Sequence, residues 1–377
     1  MLLPAGVTTS SLPARAAATL DAAAQTVPQL KATIGLDGFV DSIIAVVDKR
    51  ESADKFSRVP TLAAFGERIA RAAGQSTQAE LVIDRVKLGG NGPIMANALA
   101  AAGVRVTSVG NLGHPSVHPA FAELAQRATV LSIAEPAYTD ALEFEDGKLM
   151  LGKRASLRDV NWENLVARVG RDRLVKLFQE SDLIGLQNWT MLPFMSDIWR
   201  HVLAEICPSL PATPRWKFFF DLADPEMREK QDIRDAAALI SQFQKYYETY
   251  LGLNEKEAFE VGRALGYQGG ANGAAAVKAV AQFVWDKLRV SCVVVHPREY
   301  AVAASAAGVV QVAGPFTAKP LISTGAGDHF NAGFCLGKLA GGSDEIALQT
   351  GVGCSGYYVR TAKSPAVKEL AEFLRTL

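Results

Sequence analysis

Short apolar runs alternate with amphipathic segments along most of the chain. Runs of this kind are typical of strands that are buried on both faces of a sheet. The segments between them repeat their apolar positions with the period of an α-helix. The predicted strands cover residues 31–36, 105–109, 129–133, 182–186, 217–221 and 290–295, and the predicted helices cover residues 93–102, 116–126, 194–206, 230–246, 255–265 and 274–287.

Strands that alternate with helices predict an α/β fold with a mainly parallel central sheet and helices on both faces. An alanine-rich helix over residues 13–25 is expected to pack outside this sheet. Ligands of such sheets bind at the edge where the strands have their carboxyl ends. Polar residues that directly follow the predicted strands are therefore the first candidates for a functional site.

Two stretches break the alternation of strand and helix. Residues 81–87, and residues 138–144 with 148–151, have the pattern of half-buried strands, and the second pair closes through a turn at 145–147. We expect them to form a small separate sheet, and a hairpin that extends the main sheet is the alternative. Residues 41–89 form a longer stretch that includes a helical segment at 61–73.

Composition narrows the class of protein. The chain has 377 residues, of which 49% are hydrophobic and 21% charged, which is ordinary for a globular protein. Its 39 basic residues balance 39 acidic residues, so no net charge attracts nucleic acid or an anionic membrane. No apolar run reaches the length of a membrane span, and the four cysteines lack the spacing of a zinc site or a disulfide framework. We expect a cytoplasmic protein.

A glycine-rich turn at residues 322–334 leads into an apolar helix and carries the strongest chemical signal. Backbone N–H groups at a helix start are unpaired, so Gly325, Ala326 and Gly327 can donate to an anion such as a phosphate. Asp328 on the same turn would repel a phosphate unless it handles a hydroxyl that attacks the phosphorus. The turn therefore indicates phosphoryl transfer, and a plain helix cap is the alternative.

Two stretches of the sequence come close to known nucleotide-binding motifs, but neither matches its motif. A dinucleotide fingerprint would need a glycine where Phe330 stands. Residues 147–153 approximate a P-loop, but Arg154 follows where a magnesium-binding hydroxyl is required. The surrounding pattern is also that of a hairpin, so we interpret this match as a coincidence.

Two acids and a glycine pair are candidates for binding an acceptor. Asp37 and Asp41 follow the first predicted strand, where a carboxylate can accept two hydroxyl hydrogen bonds from a sugar or cap backbone N–H groups of a turn. Gly89 and Gly90 let the backbone approach a ligand closely, and Asn91 offers both a donor and an acceptor.

Asn254 and Glu257 lie three residues apart at a predicted helix start. They can hold Mg²⁺ through its waters, or they can form a capping box, and both roles can coexist. Asn97 lies on the predicted helix at 93–102, where it can be a buried structural amide. His329 has no evident partner, and we expect it on the helix surface or in the pocket wall.

Three of these segments, in this order, resemble the signatures of the ribokinase-like (PfkB) carbohydrate kinases. They are residues 89–103, residues 253–258 and the Gly-Ala-Gly-Asp turn at 325–328. The resemblance covers most of the chain. It implies one three-layer α/β/α kinase domain over residues 1–377, with a mainly parallel central sheet and a small β-sheet lid over the sugar. The lid segments implied are residues 42–60, 79–88 and 137–155, and a homodimer through this lid is open.

The resemblance also implies roles for these residues. Asp328 would be the catalytic base and Gly325, Ala326 and Gly327 would stabilise the transferred group. Asp41, with Asp37 as an added candidate, would bind the sugar. The remaining implied ligands are Gly89, Gly90, Asn91 and Asn97 for the sugar, and Asn254, Glu257 and Thr324 for the nucleotide side, with Glu257 reaching the metal through water.

The implied reaction is ATP- and Mg²⁺-dependent phosphorylation of a hydroxymethyl group on a small sugar or polyol. A nucleoside kinase of the same fold is a second candidate, and it would need an aromatic platform such as Phe39 or Trp189. A non-catalytic sugar- or nucleotide-binding protein is a third. The turn at His296 and Pro297 replaces a glycine-containing turn of the family, which leaves the nucleotide preference open.

Overall fold

The computed structural model describes residues 11–210 and 216–377. The strands in chain order are β1 (Lys31–Leu36), β2 (Phe39–Arg50), β3 (Phe56–Arg58), β4 (Leu81–Gly89), β5 (Arg105–Gly110), β6 (Thr129–Ser132), β7 (Ala137–Phe144), β8 (Gly147–Lys153), β9 (Leu183–Gln187), β10 (Lys217–Asp221), β11 (Glu248–Leu253), β12 (Cys292–Val295), β13 (Tyr300–Ser305) and β14 (Gly308–Ala313). The α-helices are α1 (Leu12–Ala23), α2 (Leu62–Arg71), α3 (Asn91–Ala101), α4 (Ala122–Arg127), α5 (Trp162–Val169), α6 (Arg171–Glu180), α7 (Met195–His201), α8 (Lys230–Phe243), α9 (Glu255–Ala264), α10 (Gly273–Leu288), α11 (Ala326–Leu339), α12 (Asp344–Thr361) and α13 (Val367–Leu374).

Nine strands form the main sheet in the order β14-β13-β12-β11-β10-β9-β1-β5-β6. The pairs from β12 through to β6 are parallel, and β13 and β14 add an antiparallel hairpin at one edge. The mainly parallel sheet is confirmed. Since parallel strands end at one edge, the residues that follow β1, β9, β10 and β11 lie at the same edge of the sheet.

Side chains of β10 show how the layers pack. Phe218 and Phe220 stack on each other at 4.4 Å between ring centroids, and they contact Phe243 of α8. Phe219 points to the opposite face, where it packs near Phe334 of α11. Strand residues alternate between the two faces of a sheet, so one aromatic run fills both interlayer cores. Each core is a continuous cluster of buried apolar side chains.

The small sheet is separate from the main sheet, as expected. Strands run in the order β3-β2-β7-β8, and β4 pairs with residues 39–46 of β2, next to the part of β2 that pairs with β3. Helix α2 covers the outer half of this sheet, where Phe65 contacts a small cluster that includes Ile44, Val46 and Leu142. Residues 147–153 form the second strand of the β7–β8 hairpin, so the P-loop match is a coincidence. We call this small sheet the lid.

Several elements differ from the sequence-based expectations. Strands β11, β13 and β14 were not anticipated, because their short runs contain polar residues or small alanines and lack a clear apolar pattern. The segment predicted as a helix at 194–206 is α7 followed by a π-helical turn at Val202–Ile206. The helix predicted at 116–126 begins as a 3₁₀ turn at Pro119–Phe121. No helix among the described residues is long and apolar enough to cross a bilayer.

Helices α11 and α12 pack with their backbones in close approach, and this contact generates a prediction. A Cβ atom at Gly333 would lie 2.5 Å from the Cβ atom of Cys354 and 2.7 Å from the carbonyl oxygen of Thr350. We expect Gly333→Ala to destabilise the protein by about 1–3 kcal/mol, as overpacked cores do. Urea unfolding followed by circular dichroism measures this change.

The control for Gly333→Ala is Gly66→Ala in the exposed part of α2, where a Cβ atom would meet nothing within 4 Å. This variant should gain about 0.5–1 kcal/mol, since alanine restricts the unfolded chain more than glycine does. Equal effects of the two substitutions would show that the contact between α11 and α12 does not decide the stability.

Candidate active site

The glycine-rich turn leads into α11 as predicted, with Gly325 as its N-cap in the left-handed region at φ 93°. The Ala326 N–H donates to the carbonyl oxygen of Ser323 within the turn. Among the described residues, the N–H groups of Gly325 and Gly327 have no acceptor. Two of the three expected anion donors are therefore free, and the donor of Ala326 is occupied.

Helix α12 and the side chain of His329 fix the carbonyl groups of this turn. The Tyr358 hydroxyl donates to the carbonyl oxygen of Thr324 at 3.0 Å. His329 Nδ1 lies 2.7 Å from the carbonyl oxygen of Gly325, and its Nε2 lies 2.9 Å from Ser364 Oγ. Because only a protonated Nδ1 can donate to Gly325, Nε2 accepts from Ser364 in the neutral ring. The carbonyl oxygens of Thr324 and Gly325 are thus engaged by Tyr358 and His329, while the N–H groups of Gly325 and Gly327 have no acceptor among the described residues.

His329 is 2% exposed, and its ring stacks on Tyr358 at 3.6 Å between centroids. His329 is therefore not on the helix surface, one of its two expected places, because Tyr358 and Ser364, which are distant in the sequence, cover its ring. A buried histidine next to a glycine-rich turn carries no local signal that would reveal these partners.

Asp328 lies in the first turn of α11 and is buried among other carboxylates. Burial raises its pKa well above the usual value, and the charges of Asp221, Asp37 and Glu257 raise it further. Its own backbone N–H opposes this shift. An acid with a raised pKa holds a proton more readily than an ordinary aspartate, which suits a group that accepts a proton from a hydroxyl.

Asp221 ends β10 and lies in the same group of acids. It accepts a hydrogen bond from Asn331 Nδ2 at 2.6 Å and from the Ala223 N–H at 2.7 Å. Burial raises the pKa of Asp221 to about 6. Asn188 and Ala223 both have positive φ angles, 62° and 57°, where their strands end. Such backbone conformations in residues other than glycine cluster at functional sites.

Among the described residues, the side-chain amide oxygens of Gln187, Asn188 and Asn331 are buried without a hydrogen-bond partner, as is that of Asn111 after β5. Buried polar atoms are nearly always satisfied, so unpaired oxygens beside several carboxylates indicate a place for a donor or a cation. Sequence reasoning missed Asn331, whose position one turn along α11 from Asp328 was the available signal.

The structure shows that Asp37 caps a helix. Its carboxylate accepts hydrogen bonds from the N–H groups of Asn91 and Gly92 at 2.9 and 2.8 Å, and from Asn188 Nδ2 at 2.8 Å. With three protein donors and 1% exposure, Asp37 positions the start of α3 and the residue after β9. This geometry favours the capping alternative over direct sugar binding.

Asp41 lies on β2 in the lid, against the backbone of Gly89. A Cβ atom at position 89 would lie 2.5 Å from the carboxylate atoms of Asp41, so only glycine permits this contact. Burial raises the pKa of Asp41, while the charge of Lys87 and the hydroxyl of Thr139 lower it. In the described part of the chain, Asp41 accepts no hydrogen bond from the backbone N–H groups and the Asn188 amide that donate to Asp37.

The two asparagines of α3 differ in their surroundings. Asn91 has no side-chain hydrogen bond within the described residues, and it stands at the start of α3 beside Gly90. Asn97 donates to Glu123 Oε1 at 3.3 Å and accepts from Arg127 at 3.2 Å. Because α4 engages its amide, we remove Asn97 from the set of direct ligands and retain Asn91.

Asn254 and Glu257 form the capping box. Asn254 Oδ1 accepts from the Glu257 N–H at 3.0 Å, and Glu257 Oε2 accepts from the Asn254 N–H at 2.8 Å. Glu257 is 6% exposed, and burial together with the charge of Asp221 raises its pKa to about 8. The second oxygen of Glu257 has no partner among the described residues, so the cap leaves a ligand atom available.

The turn after β12 touches the anion-binding turn. A Cβ atom at Gly327 would lie 3.3 Å from His296 Cε1, and the imidazole packs against Phe330 at 4.6 Å between centroids. Burial lowers the pKa of His296 to about 4, so the ring is neutral at physiological pH. Arg298 is exposed to solvent. His296 therefore packs against the anion-binding turn.

Neither candidate for an aromatic platform is accessible. Trp189 is 1% exposed and Phe39 is 5% exposed, and both belong to the main apolar core. Arg228 stacks over Trp189 and donates to the carbonyl oxygens of Trp189, Thr190 and Leu192. The loop after β9 is thus fixed structurally, with its aromatic face covered.

Comparison with known proteins decides the family. A family model described as prokaryotic ketohexokinase matches residues 10–376. The chain belongs to this family. The ketohexokinase of Haloferax volcanii is 32% identical over 341 residues, which cover 90% of this chain and 89% of that protein. This ketohexokinase-family protein is therefore a carbohydrate kinase that phosphorylates a sugar, and the resemblance to the PfkB kinases is confirmed.

Solved structures show the same fold at low sequence identity. A ribokinase from Arabidopsis thaliana, complexed with ribose and ATP, has a TM-score of 0.63 and 15% identity, covering 92% of this chain and 98% of that one. Phosphofructokinase-2 from Escherichia coli has a TM-score of 0.62 and 12% identity, covering 92% and 99%. The ribokinase-like fold with its small lid is confirmed.

The buried imidazole of His329 predicts a dependence of stability on pH. Burial lowers its pKa from 6.5 to about 4, so the unfolded chain binds a proton more readily than the folded protein does. The resulting stabilisation is complete above pH 6.5 and is lost as the pH falls through 4. Since glutamine does not titrate, the urea midpoint of wild type relative to His329→Gln should fall between pH 7 and pH 4. A constant difference would contradict this prediction.

Proposed function

We propose that this protein transfers the γ-phosphoryl group of ATP, with Mg²⁺, to a hydroxymethyl group of a ketohexose or a related polyol. The observation that carries the proposal is Asp328, with its raised pKa, beside the free N–H groups of Gly325 and Gly327. A proton acceptor and an anion-binding turn at one helix start match the needs of phosphoryl transfer. The ketohexose follows from the name of the Haloferax volcanii relative.

In the proposed mechanism, the acceptor hydroxyl lies between Asp328 and the terminal phosphate. The hydroxyl oxygen forms a bond to phosphorus, the bond from phosphorus to the leaving ADP oxygen breaks, and the hydroxyl proton passes to Asp328. Donors at Gly325 and Gly327 stabilise the charge on the transferred group, and Thr324 lies on the nucleotide side of the turn. Since the transition state is loose, alignment contributes as much as basicity.

The residues present fit Mg²⁺. Carboxylate and amide oxygens are its preferred protein ligands, often through bound waters. Asp221, the free oxygen of Glu257 and the unpaired amide oxygen of Asn331 supply such atoms, and we propose that Glu257 acts through water. Bound Mg²⁺ would neutralise negative charge on the donor phosphates. Asn254 completes this side by fixing Glu257 through the capping box.

Acceptor binding is assigned to the edge between β2 and α3. Asp41 offers a carboxylate, Asn91 offers an amide without a protein partner, and Gly89 and Gly90 allow the sugar close to the backbone. Asp37 contributes indirectly by holding the start of α3. Phe39 and Trp189 are covered, so nothing in the described residues favours a nucleoside acceptor.

Two further expectations stay as proposals. Within the described residues, the edge strand β4 pairs with β2 alone and exposes Leu81, Ile83 and Val86, which suits a homodimer formed through the lid. Light scattering of the purified protein tests this.

All four cysteines are buried and free of disulfides, which agrees with a reducing, cytoplasmic environment.

Replacing the catalytic acid tests the proposed function. We expect Asp328→Asn to lower kcat for fructose and ATP by roughly 10²-fold or more, because a positioned proton acceptor is lost. Binding of nucleotide and sugar, measured by calorimetry, should persist. Asp286→Asn on the exposed face of α10 is the control, and it should leave turnover unchanged. Turnover of Asp328→Asn near the wild-type value would refute the role of Asp328 as the proton acceptor.

A second substitution tests the assignment of the acceptor. Asp41→Ala removes charge-assisted bonds to the sugar, each worth roughly 1.5–3 kcal/mol before competing losses. We expect a large drop in kcat/KM for the sugar and a change in nucleotide affinity below about threefold. Titration with nucleotide and then with sugar separates the two effects. Lost nucleotide binding with intact sugar binding would reverse the assignment.

A further inference from the structure

Two cationic side chains of β4 share a face of the lid with Asp41. Lys87 lies directly opposite Asp41 in the antiparallel pair of β4 and β2, and Arg85 lies opposite Ile43. Residues two apart on a strand point to the same face, so Arg85, Lys87 and Gly89 follow one another along it. Gly89 contacts the carboxylate of Asp41, and therefore this face of the lid is the one that borders the sugar site.

Neither cation has a hydrogen-bond or ion-pair partner within 4 Å in the part of the chain that the structure describes. Three other basic residues of the lid are paired: Lys148 binds Glu143 at 2.6 Å, Lys153 binds Asp140 at 2.8 Å, and Arg58 binds Asp84 at 3.1 Å. Lys87 is also partly buried. The charge of Asp41 attracts the Lys87 ammonium, but among the described residues no carboxylate lies within ion-pair distance to offset its lost hydration, so a bound anion is the natural partner.

The electrostatic neighbours of these cations lie around the anion-binding turn. Burial lowers the pKa of Lys87, while the charges of Asp41 and Asp328 raise it. Burial raises the pKa of Tyr358 to about 12, and the charge of Arg85 opposes this shift. Tyr358 holds the carbonyl oxygen of Thr324. Lys87 and Arg85, which share the Asp41 face of the lid, are therefore within electrostatic reach of the turn that presents the N–H groups of Gly325 and Gly327.

The floor of the cleft supplies no cation of its own. None of the four buried acids, Asp37, Asp221, Glu257 and Asp328, forms an ion pair with a lysine or arginine among the described residues. A phosphoryl group in transfer adds negative charge next to these carboxylates. Bound Mg²⁺ would neutralise the donor side of this charge, but the equatorial oxygens of the transferred group also need positive charge on the lid side.

We propose that Lys87 is a further catalytic residue, which contacts the phosphoryl group in transfer when the lid covers the cleft, with Arg85 beside it as a second cation. This inference rests on the proposed kinase function. It assigns no covalent step to Lys87, which stays protonated and supplies charge. The recognised chemistry is a phosphate dianion, and the terminal phosphate of the donor is its source.

The test compares Lys87→Met with Lys87→Arg, and uses Lys153→Met as the matched control. Lys153 lies opposite Tyr138 in the β7–β8 pair, so it points to the other face of the lid, and it is 62% exposed. We expect Lys87→Met to lower kcat for fructose and ATP by about 10²-fold, as loss of one transition-state donor does. KM for fructose should change less than about threefold. Lys87→Arg should recover part of kcat, and Lys153→Met should keep all of it.

A binding measurement gives a readout that does not depend on turnover. Calorimetry with ADP, Mg²⁺, fructose and tetrafluoroaluminate reports affinity for a mimic of the phosphoryl group in transfer. Lys87→Met should weaken this complex by at least 10-fold relative to wild type and leave binding of ADP alone unchanged. Equal affinity of wild type and Lys87→Met for the mimic would overturn the proposal, as would unchanged kcat.

A phosphate on the acceptor is the competing source, and fructose 6-phosphate tests it. If the cations bind an acceptor phosphate, wild type will prefer fructose 6-phosphate to fructose, and Lys87→Met or Arg85→Gln will lose that preference through KM. This result would overturn the assignment to the donor phosphate. Failure of wild type to phosphorylate any ketohexose with ATP would instead refute the proposed function, so the two failures are distinguishable.

Discussion

Several like-charged carboxylates are buried together at one edge of the main sheet, and the structure of the site depends on this constraint. Asp37, Asp221, Glu257 and Asp328 raise one another's cost of ionisation because burial removes the water that would screen them. A protein keeps such a group only if hydrogen bonds, helix starts or a cation compensate for the charge. Different groups compensate the charge of each of these four acids, and this difference distinguishes their roles.

Asp37 receives the fullest compensation from the protein, with three donors. It therefore acts as a structural anchor that joins β1, α3 and the residue after β9. Asp221 is paired with Asn331, and Glu257 is held by a capping box that leaves one oxygen available. In the part of the chain that the structure describes, the carboxylate of Asp328 has no hydrogen-bond donor other than its own backbone N–H. The acid with the least compensation is the one whose chemistry we assign to proton transfer.

The anion-binding turn depends on the packing of α11 against α12. The close approach at Gly333 brings Tyr358 to the carbonyl oxygen of Thr324 and lets His329 stack on its ring. His296 supports Gly327 from the end of β12. A substitution in these helices can therefore change the donors of the turn without touching the ligand. The His296–Pro297 turn, which departs from the family pattern, packs against the anion-binding turn through His296.

The sequence alone determined the fold class, the separate lid and the turn that carries Asp328, because strand and helix periods and glycine at a helix start are local signals. It also offered the capping box of Asn254 and Glu257 as one of two roles, because their spacing is a local signal, and the structure contains that box. Tertiary structure decided which polar groups are free. Asn97 is engaged by α4, Trp189 is covered, and His329 finds Ser364 across the fold. These partners are distant in sequence, and no local pattern encodes whether a donor or acceptor is already satisfied.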